Sequence, residues 1–332
     1  MLKSSQRHSL KAKVEPISLP LKQPFAITGH VFDSLQGAVV TIEENGISGR
    51  GEADGVYYLG QDQGWMQNTI QEFIDSKQVF DRESLQSLMP ANAARNAIDC
   101  ALWDLELKTT GISVWEKLDI APKKLNTVAT VGIASPDEMA KAAADYKDFQ
   151  NLKIKLDANE PVIALEKIRK ARPDAKLIID VNQGWNMEML KDFSRHLEKL
   201  EISMIEQPLP RGEDQQLIDY KGEIPLGADE SCLHTGEYES IKRYYQVINI
   251  KLDKTGGLTE ALKLARLALS DNKRLMVGNM TGSSLAMAPA YVIGQWCEFV
   301  DIDGPVLLAK DVRNGLSYDS TGVSIPRSEL WG

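Results

Sequence analysis

Two lysines one residue apart begin the chemistry of this chain. In the run Asn151-Leu-Lys153-Ile-Lys155-Leu-Asp157, an extended strand would send successive side chains to opposite faces. Leu152, Ile154 and Leu156 then share one face, and Lys153 and Lys155 share the other. Ammonium groups are almost never buried unpaired, so two on one inward face require acids nearby. Later runs supply them. Asp180 and Asn182 alternate with Ile179 and Val181, and Glu206 closes an apolar run before Gln207-Pro208. Asp229 and Ser231 share a face, Lys251 and Asp253 alternate with Ile250 and Leu252, and Asp301 and Asp303 flank Ile302. A single aspartate at a strand end is usually a turn residue. A charged group at the end of run after run points instead to one site. Three carboxylates from neighbouring strands, Asp180, Glu206 and Asp229, repel one another unless a divalent cation joins them. An all-oxygen set without His or Cys favours Mg²⁺ or Mn²⁺ over zinc. Lys155 and Lys251 come from opposite sides of those acids, which places the metal between two candidate bases.

These side chains need elements to hold them. Eight short, β-branched and apolar runs recur from residue 127 to 304: TVATVGI, NLKIKLD, KLIIDVN, ISMIEQP, PLGADES, QVINIKLD, RLMVGN and EFVDIDG. Marker residues at their ends (155, 180, 206, 229, 251, 278 and 301) stand 22 to 27 residues apart. Helical patterns fill most gaps, one of them starting at Ser135-Pro136 with Glu138 three residues on, a capping box. Strands alternating with helices predict a parallel sheet. Eight such units predict an α/β fold of the (β/α) TIM-barrel type, with its chemistry at the C-terminal strand ends. Residues 1–120 read differently, as an α+β capping domain. Gly37–Ile42 is a predicted strand, Gly46 lies in a hairpin turn, and Glu52–Gln63 is a predicted loop. Helical patterns follow at about 63–78 and 81–89, and a stronger one in ANAARNAIDCALWDLELKTTG ends at Gly111. The barrel is expected over 121–304, with 305–332 returning to the cap. The first dozen residues read as a frayed lead-in.

Composition narrows the function classes. At roughly 150 residues per domain, 332 residues suggest about two domains. Hydrophobic residues at 43% and charged residues at 26% are ordinary for a soluble globular protein. No apolar run is long enough for a membrane span, and no signal peptide is read at the N-terminus. A net charge of −9 argues against a nucleic-acid partner. Cys100, Cys232 and Cys297 share no close spacing and read as reduced thiols of a cytoplasmic protein. A homo-oligomer is compatible with all of this.

The ordered set Lys153-Ile-Lys155, Asp180-Val-Asn182, Glu206-Gln-Pro208, Asp229-Glu-Ser231 and Asn249-Ile-Lys251 resembles the enolase superfamily, muconate-lactonizing subgroup. AIDCALWDLELKTTG followed by Val114-Trp115 resembles that group's last capping-domain helix, and the likeness covers roughly residues 20–325. Within the subgroup, Asp301-Ile-Asp303-Gly-Pro resembles the dipeptide epimerases, where paired aspartates hold the substrate's α-ammonium. The resemblance implies one Mg²⁺ per subunit on Asp180, Glu206 and Asp229, an acid/base pair in Lys155 and Lys251, and substrate contacts from Lys153, Asp301, Asp303, Thr130, Asn279 and His30. The superfamily's lysine-plus-Mg²⁺ logic is an established pattern of pKa tuning. The residues agree with it. A proton α to a carboxylate is weakly acidic, and its removal builds an enediolate that Mg²⁺ stabilises. A lysine acts as base only when its pKa falls from about 10.4. Partial burial and a nearby cation, such as Lys153 or the metal, push it down. One lysine then removes the proton and the other returns it on the opposite face. Lys153 would meet the substrate carboxylate.

Other readings share parts of this pattern. An N-acylamino-acid racemase, o-succinylbenzoate synthase or cycloisomerase would use the same metal and lysines, but two acids facing the substrate suit an amine. GNMTGSSL could cradle a phosphate at a helix N-terminus, as in a phosphosugar barrel enzyme. A non-catalytic barrel that only binds is the third class. Specificity is expected from cap loops Phe25–Asp33 and Ala53–Gln61. Glutamate-selective epimerases resemble the chain at Pro24-Phe25 but carry an arginine a few residues on, where this chain has His30 or its neighbours. L-Ala-D/L-Glu is therefore the leading example of a wider dipeptide class.

Overall fold

The structure, a computed structural model, describes residues 10–76 and 81–332. It begins with an antiparallel meander, β1 (Lys11–Ile27), β2 (His30–Glu44) and β3 (Ile47–Asp54). Asn45 and Gly46, at φ 52° and 80°, make the β2–β3 turn, the left-handed pair that a two-residue hairpin requires. Ala38, Val40, Ile42 and Ala53 on the buried face pack against α1 (Gln63–Asp75), α2 (Arg82–Leu88) and α3 (Ala93–Thr110). Asn92 caps α3 by accepting from Arg95 N, and Gly111 at φ 69° stops it. The sheet rides on α3 backbone to backbone. A Cβ on Gly51 would stand 2.2 Å from the Ala97 carbonyl oxygen and 2.6 Å from Ala101 N. Gly51→Ala is therefore expected to cost about 1–3 kcal/mol by overpacking, read as a lowered thermal midpoint. An unchanged midpoint would mean the sheet shifts freely on its helix.

The barrel strands are β4 (Val128–Val131), β5 (Asn151–Lys155), β6 (Lys176–Asp180), β7 (Ile202–Glu206), β8 (Leu226–Ala228), β9 (Val247–Ile250), β10 (Arg274–Val277) and β11 (Phe299–Val300). They pair in parallel in chain order, one for each of the eight runs read in the sequence. Val128, Ile178, Met204, Val247, Met276 and Phe299 fill the barrel floor. Leu152, Ile154, Ile179 and Ile205 face the helices outside. That alternation turns Lys153 and Lys155 inward. Between β11 and β4 no strand ladder forms among the described residues. Thr127 Oγ1 bridges the seam, donating to Val300 O and accepting from Ile302 N, and Asp303 accepts from Thr130 N at 2.7 Å.

The final residues reach the cap. Leu330 O accepts from Arg50, and Trp331 Nε1 donates to Cys100 O. The 318–323 hairpin lies against Leu125 in the barrel. Several local expectations are corrected. Lys11 and Ala12 already belong to β1, although most of the expected lead-in falls outside the described residues. Glu52–Asp54 continues β3, Tyr57–Leu59 is a 3-10 turn and Gln63 starts α1, so Glu52–Gln63 is not one loop. Phe25–Asp33 is a hairpin in which Phe25 pairs with Phe32 and Ile27 with His30. In β1, at Glu52–Asp54 and in the Phe25–Asp33 hairpin, pairing with a neighbouring strand overrides the local reading. Of the pattern at 63–78, α1 takes 63–75, while 77 and 78 lie outside the described residues. No helix among the described residues is long and apolar enough to cross a membrane.

Candidate active site

The strand register gathers the charged side chains at one end of the barrel. Lys155 on β5 pairs with Asp180 on β6, which pairs with Glu206 on β7. Asp229 follows β8, and Lys251 follows β9. Gln207 sets Asp229, because its Oε1 accepts from both Asp229 N and Ser231 N at 3.0 Å. Lys155 Nζ lies 2.7 Å from Asp180 Oδ2 and 3.0 Å from Asn182 Oδ1. Lys251 Nζ lies 2.7 Å from Asp229 Oδ2. The two lysines stand four strands apart in a ring of eight, so they face each other across the mouth.

Lys153 lies deeper, with Nζ at 3.0 Å from Asp180, 2.8 Å from Glu206 and 2.8 Å from Asp301. The sequence assigns it to a substrate carboxylate, and the structure also pairs it with three acids, since full burial demands counter-charge for an ammonium. Lys254, to which the sequence reading gave no role, is also fully buried. Its Nζ donates to Asp229 Oδ1 and, at 2.7 Å, to the Asp229 carbonyl. Spacing of three from Lys251 was its only signal, and that spacing does not separate a buried lysine from a solvated one. Asn249 Nδ2 donates to Glu206 Oε1 at 2.6 Å.

Charge on this floor is unevenly matched. Burial works to raise Asp180 and Asp229, but Lys155 and Lys153 outweigh it at the first, and Lys251 and Lys254 at the second. Both carboxyls stay well below the usual range. Glu206 is different: burial and the neighbouring Asp180 push it up to about 7 against the pull of Lys153. Burial and Asp229 push Glu230 up to about 8. Burial lowers the lysines, yet Asp229 holds Lys251 above its ordinary value, and Asp301, Glu206 and Asp180 hold Lys153 well above. For Lys251 this runs against the expected lowering, because its ammonium sits 2.7 Å from Asp229.

Glu206 also tests the fit to a metal. Its Oε2 is buried without a hydrogen bond, since Lys153 lies within ion-pair distance but out of line. Asp180, Glu206 and Asp229 are fully buried, all-oxygen and from adjacent strands. They fit a hard divalent cation. Among the described residues, no three Asp, Glu, His or Cys side chains already surround one point at ligand distance. Ammonium groups pair with these acids instead: Lys153 with Asp180 and Glu206, Lys155 with Asp180, and Lys251 with Asp229.

Above these charges lies a pocket. Lys153, Lys155, Lys251, Asp301, Asp303, Thr130 and Asn279 line its polar side. Asn279 Nδ2 donates to Asp301 Oδ1 at 2.9 Å. Burial and Asp301 push Asp303 up to about 7. Phe25, Ile27, Phe32, Tyr57, Tyr58 and Met280 from the cap hairpin, the 57–59 turn and the loop after β10 form much of the remaining wall. His30 is not in this lining. Its ring packs on Phe32 and Tyr57, with centroids 4.2 and 5.2 Å apart, and borders an adjoining groove. The phosphate cradle read from GNMTGSSL is excluded. Glu52 accepts from Ser283 N at 2.8 Å and Asp311 accepts from Ser284 N at 3.1 Å, so two carboxylates already cap that helix.

Comparison with known proteins agrees with this geometry. Residues 10–118 match the mandelate racemase / muconate lactonizing enzyme N-terminal domain, and residues 137–311 match the family described as enolase C-terminal domain-like. An N-acetyl-D-glutamate racemase from Pseudoalteromonas sp. is 40% identical over 253 residues, covering 76% of this chain and 80% of its own. The L-Ala-D/L-Glu epimerase of Escherichia coli K12 is 38% identical over 92% of this chain and 97% of its own. An Agrobacterium tumefaciens enolase family member with homology to dipeptide epimerases, solved with sodium and L-Ala-L-Glu, superposes with a TM-score of 0.92. It is 37% identical, over 97% of this chain and 99% of that one. A dipeptide epimerase from Enterococcus faecalis, solved with Mg and L-Leu-L-Tyr, gives 0.87 at 26% identity over 95% and 99%. With a cap and barrel that both match, and the lysines and acids at the ends of the expected strands, the chain belongs to the mandelate racemase / muconate lactonizing enzyme family of the enolase superfamily.

Proposed function

We propose that the protein inverts the α-carbon of an N-acylated amino acid, a dipeptide first of all, by a 1,1-proton transfer between two lysines. One observation carries the reading: Lys155 and Lys251 face each other across the barrel mouth, each tied to a different carboxylate of the same floor. A substrate α-carbon between them exposes one face to each amine. The neutral lysine takes the proton, and the opposite ammonium delivers one to the other face, so substrate and product differ only in configuration. Asp180, Glu206 and Asp229 would hold Mg²⁺, whose charge, when bound, offsets the second negative charge that builds on the substrate carboxylate as the proton leaves. Lys153 adds positive charge beside that carboxylate. The aromatic cap wall excludes water and receives the side chain of the inverted residue. His30 acts on it through Phe32 and Tyr57. The barrel at 121–304 carries this chemistry, while 1–120 with 305–332 forms the cap. Free thiols at Cys100, Cys232 and Cys297 support a cytoplasmic setting.

Asp301 and Asp303, with Asn279 and Thr130, would take the α-ammonium of a dipeptide, with L-Ala-D/L-Glu the leading example. A second reading, an N-acetylamino acid, is favoured by one feature: Asp301 already spends its charge on Lys153. The two substrates share the reacting N-acyl amino acid and differ in that ammonium. Deuterium uptake at the α-carbon in heavy water with Mg²⁺ tests both, using L-Ala-D-Glu, L-Ala-L-Phe and N-acetyl-D-glutamate. No uptake from any of them would end the proposal. Asp303→Asn separates the two. Its amide oxygen still accepts Thr130 N–H, so the β4–β11 seam survives. Loss of a charge-assisted bond worth about 1.5–3 kcal/mol is expected to lower kcat/KM about 10- to 100-fold for the dipeptide, leaving N-acetyl-D-glutamate within about threefold. Equal losses would remove the ammonium contact.

A further inference from the structure

Three buried acids meet where the cap joins the barrel: Glu52 and Asp54 on β3, and Asp253 just after Lys251. Two are well supplied with donors. Glu52 accepts from both N–H and hydroxyl of Ser283. Asp253 Oδ1 accepts from Asn96 Nδ2 at 2.9 Å and from Asp54 N at 3.1 Å. Asp54 has neither oxygen hydrogen-bonded, and both are buried. A Cβ on Gly37 would lie 2.7 Å from its Oδ1, and one on Gly282 3.2 Å from its Oδ2. The carboxyl is thus pressed between β2 and the loop ahead of the helix Ser284–Gly294. The charged groups acting on it are Glu52 and Asp253, with Asp311 behind the first and Lys251 behind the second. On α3, Arg95 is committed to the Thr255 and Gly256 carbonyls and Asp99 to Thr259 and Gln86. His30, Asp33 and Asp62 border the adjoining groove.

An ionised carboxylate buried without a protein donor and facing two other acids is costly. A proton removes the charge at the position least able to bear it. We infer that Asp54 is a positioning residue, held as the neutral acid to seat the end of β3 against the barrel and thereby keep Tyr57 and Tyr58 on the pocket wall. Burial, Glu52 and Asp253 all hold its carboxyl well above the usual range, in the same direction. The 55–60 segment follows at once and folds back so tightly that a Cβ on Gly55 would strike the Gln61 carbonyl. Opposite, the Gly282 loop continues Asn279–Thr281, which also lines the pocket. Ionising Asp54 would draw water between the two and loosen both walls. The sign follows from linkage: the seated state keeps a proton that the opened state has lost, so seating weakens as pH rises toward the raised value.

Asp54→Asn keeps the shape and removes the titration. Infrared difference spectra, wild type minus D54N at neutral pH, should show one carboxylic-acid C=O band beyond those that Glu206, Glu230 and Asp303 give to both proteins. Hydrogen exchange of amides 55–61, corrected for intrinsic rates, should lose protection about tenfold per pH unit in the wild type between the ordinary carboxyl range and the raised Asp54 value, and level off above it. D54N should hold its protection, and barrel-strand amides should hold theirs in both. In kinetics, the wild type's KM should climb on the alkaline side with kcat following the lysines, and D54N should lack the KM rise. Asp54→Ala provides the same neutral test should D54N fold poorly. No acid band in the wild-type-minus-D54N difference, or identical pH-driven loosening in wild type and variants, would overturn the inference. The infrared and exchange readings need no substrate, so they stand apart from the proposed reaction.

Discussion

Lys155→Ala and Lys251→Ala are each expected to lower epimerisation by at least the 10²–10⁴-fold that general acid–base groups contribute, while Mg²⁺ binding persists. Neither substitution leaves a bare buried charge. Asp180 keeps Lys153 and the Asn182 amide, and Asp229 keeps Lys254. The two variants should also differ from each other. A single remaining lysine still reaches the proton on its own face of the α-carbon. Each variant should therefore wash deuterium into one enantiomeric form without inverting it, and the two should choose opposite forms. Proton NMR in heavy water, started from each stereoisomer separately, reads both effects. Near wild-type inversion by either variant would refute the two-base arrangement, and the same stereochemical preference in both would place the amines on one side.

Metal removal should be as damaging. Lewis-acid stabilisation of developing carboxylate charge is worth several kcal/mol, so chelated enzyme is expected to lose at least about 10³-fold in rate and to recover it with Mg²⁺. The floor also predicts a stability effect that needs no substrate. Glu206 is buried with one oxygen met only by the Lys153 ion pair and its carboxyl pushed up to about 7. A cation there binds the folded chain and not the unfolded one, adding about 2.7 kcal/mol at a hundredfold excess over Kd. Calorimetry with and without Mg²⁺ should show a thermal midpoint raised by several degrees in the wild type and by much less in Glu206→Gln. Equal shifts in both would mean the ion binds elsewhere.

Much of this site was legible before any coordinates. The two-residue period of a strand puts Lys153 and Lys155 on the face opposite Leu152 and Ile154. The even spacing of eight apolar runs closes into a ring only if the strands are parallel and the helices lie outside. Once the runs are strands, their charged ends share one rim, and Lys155 and Lys251 must lie across it. Helix ends were equally local: Ser135-Pro136 and Gly111 act through hydrogen bonds within one turn.

What could not be read depends on partners far away in the chain. Glu52 and Asp54 look like loop acids until β2 pairs with them and Ser283 arrives from 231 residues away. Lys254 and the three-way pairing of Lys153 follow from burial, and no short window of sequence states how deep a side chain will lie. Asp303 could be read as a substrate contact, but its second duty, closing the β4–β11 seam through Thr130, exists only when the barrel's first and last strands meet. By itself, then, the sequence determined the barrel, the facing amines and the acids between them, because periodicity and spacing are properties of neighbouring residues. Only the tertiary structure decided which charges are paired and which carboxyl must carry a proton, because those depend on the distance and dielectric between groups that folding brings together.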